Sequence, residues 1–185
     1  YNYWGSPFSG QNFITFSPQT VVSRFYTYNE IDDTFSSVPN LYSNFVPAKG
    51  YAIRAPNNFT TTVQTFVGEF KGVPNNGDIT IPVAFTDATR GKNMISNPYP
   101  SNIDLRLLHQ NNPGLSGGVF YFWTNDANSS TGTVGNTSNG IYGNYTANQY
   151  AVLNVLGATP ASTPADLSPK YPSAIVRPGQ GFIMK

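Results

Sequence analysis

A chain of 185 residues is long enough to bury roughly 70% of its unfolded surface as one domain, without covalent staples. Only 10% of its residues are charged (10 basic, 9 acidic, net +1) and 15% are aromatic, which excludes helical bundles, coiled coils and disorder. The basic residues are scattered singly, so nucleic acid is excluded as a partner; the apolar runs fall far short of the roughly 20 residues of a membrane span, and without Cys there is no disulfide or thiolate metal site.

Seventeen Gly and fifteen Pro leave few windows for a helix. Between them, β-branched and aromatic stretches predict strands at Val21 to Tyr28, Gly50 to Arg54, Thr60 to Phe70, Asp78 to Phe85, Gly118 to Thr124, Tyr150 to Val155 and Gly181 to Met184. Imperfect alternation around Gly68 suggests a bulge, and Asn75-Asn76-Gly77-Asp78 marks a turn. The single helical candidate is Asn102 to Gln110, with Ser101 or Asn102 as cap and Asn112-Pro113-Gly114 as stop.

The most informative feature is an internal repeat. Trp4-Gly5-Ser6-Pro7-Phe8 resembles Ile95-Ser96-Asn97-Pro98-Tyr99; Arg24-Phe25-Tyr26-Thr27-Tyr28 resembles Val119-Phe120-Tyr121-Phe122-Trp123; and Lys49-Gly50-Tyr51-Ala52-Ile53 resembles Gln180-Gly181-Phe182-Ile183-Met184. The offsets are 91, 95 and 131 residues, so three blocks recur in one order and the second copy holds extra length after its aromatic strand. The expected fold is an all-β, antiparallel, jelly-roll-like sandwich forming a single domain over 1–185, with one short helical turn near 102–110. Its parts are a pseudo-repeat over 1–56, a linking hairpin over 57–93 and a pseudo-repeat over 94–185 with a long loop at 125–148. By the same symmetry the chain reads as a fragment of something longer.

Asn97-Pro98-Tyr99-Pro100-Ser101, Phe122-Trp123-Thr124, Gly179-Gln180-Gly181-Phe182-Ile183 and Asn75-Asn76-Gly77-Asp78-Ile79 together resemble a repeat module of large secreted and cell-surface, adhesin-like proteins of Bacteroidetes. Such proteins usually carry a type IX secretion sorting domain. The resemblance implies export, an extracellular or cell-surface location and a non-catalytic spacer or contact role. The implied partners are neighbouring domains of the same chain, with a glycan or another surface protein beside them.

Candidate chemistry concentrates around the long loop. Trp123, Tyr142, Tyr145 and Tyr150 could offer flat rings to a sugar, although Phe120 and Phe122 alternate with Tyr121 and Trp123, so one of those faces is core. Asp126, Asn128 and Ser130, followed by Gly132, have the spacing of the first half of a Ca²⁺ loop, without its later bidentate Glu. Calcium is therefore the one candidate cofactor. Gly114-Leu115-Ser116-Gly117-Gly118 matches the letters of a nucleophile elbow, but a turn precedes it and a strand follows, the reverse of what that motif needs. Asp32-Asp33 reads as a solvated loop tip. The functional expectation is a non-catalytic extracellular module; the alternatives are a carbohydrate-binding module and an accessory fragment of a secreted hydrolase.

Overall fold

The computed structural model describes residues 1–59, 64–115, 117–123, 150–160 and 171–185. The first half contains β1 (Asn2–Trp4), β2 (Phe8–Ser9), α1 (Phe13–Phe16), a 3-10 turn at Val22–Arg24, β3 (Phe25–Asn29), β4 (Thr34–Ser37) and β5 (Tyr51–Ile53). After β6 (Val73–Pro74) come β7 (Asn93–Ser96), β8 (Ile103–Asp104), α2 (Leu105–Asn111), β9 (Phe120–Trp123), β10 (Tyr150–Asn154), β11 (Gly157–Thr159), β12 (Ile175–Val176) and β13 (Gly181–Met184). The fold is all-β and antiparallel. Its two main sheets run β1-β5-β3-β4 and β11-β10-β9-β13-β7, and the pairs β2-β6 and β8-β12 lie apart from them.

The two sheets have the same internal plan. Replacing β1, β5, β3 and β4 by β7, β13, β9 and β10 converts the first order into the second, with β11 added at one edge. The register agrees residue for residue with the sequence repeat. Trp4 pairs with Tyr51 as Ile95 pairs with Phe182, and Phe25 pairs with Ile53 as Phe120 pairs with Met184. The turn after the first strand is also shared: Ser6 Oγ accepts from the Phe8 amide at 3.1 Å, and Asn97 Oδ1 accepts from the Tyr99 amide at 2.9 Å. In both copies a short polar side chain before Pro replaces the missing ladder bond.

Because successive side chains on a strand point to opposite faces, each sheet feeds two cores. Phe13, Phe16, Phe25, Tyr51 and Ile53 fill the outer side of the first sheet, and Leu105, Phe120, Phe122 and Phe182 the outer side of the second. Between the sheets lie Tyr3, Ala52, Met94 and Ile183, flanked by Tyr26, Tyr28, Tyr121, Trp123 and Tyr150. Both faces of β9 are therefore covered, not one. The central strands Tyr51–Ile53 and Gly181–Met184 are buried at every position, which is why they read as unbroken apolar runs.

The copies clasp each other through their backbones. The Gly5 amide donates to the Gly179 carbonyl at 2.9 Å, and at the equivalent place the Ser96 amide donates to the Ala48 carbonyl at 2.8 Å. Isolated bridges join Trp4 to Gln180 and Ile95 to Lys49 in the same reciprocal way. Two glycines permit this approach: a Cβ on Gly50 would lie 2.7 Å from the Ile95 carbonyl oxygen, and one on Gly181 would lie 2.7 Å from the Tyr3 carbonyl carbon.

The linking segment departs from its sequence reading. No strand forms over 64–70 or 78–85, and the hairpin expected over 57–93 is absent among the described residues; only β6 pairs, with β2. The β-type alternation instead lays side chains on the outer faces. Phe70 stacks on Phe16 at 4.9 Å and Phe66 meets Trp4 edge-on at 6.1 Å, while Ile79 and Ile81 line a groove with Leu107 and Leu108 of α2. Side chains stand in for ladder partners: Gln11 Oε1 accepts from the Lys71 amide at 2.6 Å, and Asn93 brackets Ala84 at 2.9 and 2.8 Å.

Smaller differences have local causes. Val22–Arg24 is a 3-10 turn, so β3 begins only at Phe25. The helix starts at Leu105 with Asp104 as its cap, because Ile103 and Asp104 pair with β12 and hold Ser101 and Asn102 outside. The extra helix α1 is four residues long and is set by Asn12, whose side chain caps the Thr15 amide at 2.9 Å, a span too short to show helical periodicity. Among the described residues no helix is long and apolar enough to cross a membrane.

Candidate functional site

The site lies where the inter-sheet layer reaches the surface, and the repeat dictates its contents. The strand Phe25–Asn29 sends Tyr26 and Tyr28 to the face that Tyr121 and Trp123 share in the second copy. Tyr150 sits directly opposite Trp123 across β9 and β10, with their rings edge-on at 5.1 Å. Tyr3 lies against both, 6.2 Å from Trp123 and 6.4 Å from Tyr150, and its hydroxyl shares a hydrogen bond with that of Tyr150. Burial pushes the Tyr150 phenol above its ordinary pKa.

Of the four rings expected to form a sugar platform at the long loop, two lie among the described residues. Trp123 and Tyr150 are half-buried, edge-on to each other, and both lie tilted against Tyr3. Tyr142 and Tyr145 lie outside the described residues, as do Asp126, Asn128 and Ser130 of the calcium reading. Among the described residues no group of three or more His, Cys, Asp or Glu is placed to hold a metal. Around the nucleophile-elbow letters α2 comes before and β9 after, with Gly118 at φ 55° against the His109 ring. That order runs opposite to the strand-then-helix of an elbow.

On the other flank of Tyr150 a cleft of about 330 Å³ opens between the sheets. Tyr28 and Phe35 wall it from the first sheet, Tyr121 and Tyr150 from the second, Ile183 lies at its base, and Asp33 and Lys92 stand at its mouth. The rings form edge-on pairs within each sheet, Tyr28 with Phe35 at 5.2 Å and 62° and Tyr121 with Tyr150 at 6.3 Å and 89°. Phe35 is 43% exposed, a large apolar ring that the fold leaves facing the opening.

The mouth is built by the β3–β4 hairpin. Asp33 closes the turn at φ 51°, a left-handed position that Asp tolerates better than most side chains, and its amide donates to the Glu30 carbonyl at 3.3 Å. The Tyr28 hydroxyl donates to Asp33 Oδ1, and the Lys92 ammonium lies 3.4 Å from the same oxygen. The phenol's hydrogen bond, and then the neighbouring ammonium, hold the Asp33 carboxyl below the usual range. Burial and the bond to Asp33 raise the Tyr28 phenol, which stays protonated.

The tip is solvent-exposed, as the Asp32-Asp33 pair suggested, and it is also anchored from beneath. Glu30 is buried, and its carboxylate accepts from the Thr86 amide and hydroxyl, both at 2.7 Å, and from the Gly91 amide at 2.6 Å. Those bonds, led by the Thr86 amide, lower its pKa. Arg90 donates to the Ile31 carbonyl at 2.7 Å. The linker thus docks on the hairpin and delivers Lys92 to Asp33. Sequence reasoning missed Tyr28, Phe35 and Lys92; the available signal was that Tyr28 occupies in the first copy the place of Trp123 in the second.

Over residues 1–185 the chain matches the model of a family described as Domain of unknown function (DUF8693). No curated protein and no solved structure matches it.

Proposed function

The chain belongs to the DUF8693 family, and we propose that it is a non-catalytic extracellular module of a secreted or cell-surface protein, acting as a rigid spacer and contact surface. The observation that carries this reading is the reciprocal clasp. Two copies of one four-strand plan exchange backbone hydrogen bonds, Gly5 to Gly179 and Ser96 to Ala48, so the two sheets are tied to each other through the backbone. A body tied in that way keeps a fixed distance between whatever it joins. The composition, poor in charge and Cys and rich in Asn, Thr and Tyr, supports export, as does the resemblance to adhesin-like repeat modules.

Each copy holds one of the two tryptophans, so the clasp can be tested directly. Urea unfolding of Trp4→Phe and Trp123→Phe, each followed by the remaining tryptophan and by circular dichroism, should give coincident midpoints, as a single cooperative unit requires. Separate transitions for the two reporters would overturn the rigid-spacer reading. Surface labelling of intact source cells checks the location.

A further inference from the structure

We propose that the cleft between Tyr28, Phe35, Tyr121 and Tyr150 is a binding site for a single neutral pyranose ring, held by its vicinal hydroxyls at Asp33 and Lys92. This goes beyond a spacer role and does not depend on it. It also differs in place and residues from the loop platform considered above, sharing only Tyr150.

Three properties of the cleft point to that ligand. At about 330 Å³ it falls at the small end of ligand pockets, which run from roughly 300 to 1,000 Å³. Its walls are aromatic on both sides, and ring faces carry negative charge density that attracts the polarised C–H bonds of a sugar's apolar face. Its mouth holds a pure acceptor and a pure donor only 3.4 Å apart, the Asp33 carboxylate and the Lys92 ammonium. Two adjacent hydroxyls match such a pair: one donates to the carboxylate while its neighbour accepts from the ammonium. The charges cancel, which favours a neutral ligand over a cation; a quaternary ammonium would find the rings but also meet Lys92.

The polar pair is held ready for this. The Tyr28 hydroxyl occupies Asp33 Oδ1 and leaves Oδ2 for a ligand, and the Glu30 and Arg90 bonds fix the turn that carries Asp33. The side chains therefore lose little freedom when a ring enters.

The test uses the intact chain and tryptophan emission, since Trp123 packs on Tyr150. Methyl α-mannopyranoside, methyl β-glucopyranoside and methyl β-galactopyranoside are titrated, with cyclohexanol (no vicinal diol) and choline chloride as controls. The expected result is saturable binding of at least one pyranoside in the millimolar range, with no saturable response to either control. Asp33→Gly is the informative variant, because glycine suits the left-handed turn and offsets part of what the lost bonds to Tyr28 and Lys92 cost; circular dichroism and the melting temperature check that the fold is kept. It should weaken binding by about 10- to 100-fold, as expected for a lost hydrogen bond to a charged group. Lys92→Met, away from the turn, should weaken it as well. No saturable response to any pyranoside, unchanged affinity in Asp33→Gly, or tighter binding of choline or cyclohexanol would each overturn the proposal.

Discussion

Gly5 and Ser96 occupy equivalent positions in the two copies and face each other where the copies cross. A Cβ on Gly5 would overlap Ser96 Oγ, which itself donates to the Lys49 carbonyl at 3.0 Å. The repeat is therefore symmetric in backbone and asymmetric in side chain at its own centre, since there is room for one Cβ substituent and not two. Gly5→Ala should cost about 1–3 kcal/mol through overpacking. Adding Ser96→Gly should recover part of that loss. Urea midpoints of the two single variants and the double variant give the coupling energy, and simple additivity would contradict the shared space.

A second asymmetric pair is Ala48 and Gly179, which both adopt left-handed backbone, at φ 63° and 69°. Ala48 bears the cost that a Cβ brings in that region, roughly 1–2 kcal/mol, and Gly179 does not. Ala48→Gly should leave stability unchanged or raise it by up to about 1 kcal/mol. Gly179→Ala should lower stability by more, because its Cβ would also approach the Phe70 ring at 2.8 Å and the Gly5 carbonyl oxygen at 3.0 Å. Thermal melts of both variants check the contrast in sign.

The Glu30 carboxylate ties the linker to the β3–β4 hairpin, and its pKa is depressed by the amide and hydroxyl bonds it accepts. A depressed acid stabilises the fold above its unfolded pKa, about 4.3 for Glu, and loses that contribution as pH falls through the lower folded value. Stability should accordingly fall below about pH 4.3 in the parent chain and less steeply in Glu30→Gln. Melting temperatures between acid and neutral pH, parent against variant, measure the difference; parallel curves would show that Glu30 does not carry it.

Asn97 is fully buried, donating to the Ser101 and Val176 carbonyls at 2.7 and 3.1 Å and accepting from the Tyr99 amide. Asn97→Ala strands those groups and should destabilise by about 1–3 kcal/mol or more. Asn97→Ser places there the residue of the equivalent position, Ser6, which makes the turn bond but not the two carbonyl bonds. An intermediate loss is expected, read from denaturant unfolding.

How much of this was legible beforehand differs by element. Gly181 to Met184 and the β9 strand were readable, because bulky β-formers buried on both faces leave an unbroken apolar run. Thr60 to Phe70 and Asp78 to Phe85 carry just as strong a strand signal, yet 64–70 and 78–85 form no strand. Alternation tells which side chains share a face. It does not tell whether another strand lies alongside, and here the arms cross sheet faces instead of extending an edge. The candidate site shows the same limit. Tyr28 could be matched to Trp123 by the repeat, but Lys92 reaches Asp33 across 59 residues of chain and only because Glu30 docks the linker.

The all-β antiparallel class and the recurrence of three blocks follow from the sequence alone, since these depend on local pattern and on similarity between segments. Strand order and register, the clasp at Gly5 and Ser96, the tyrosines packed between the sheets, and the cleft beside Tyr150 with an acid and an ammonium at its mouth emerge only when the chain is folded. Those features depend on which faces meet and how much space is left between them. Packing fixes that, and no single strand's pattern encodes it.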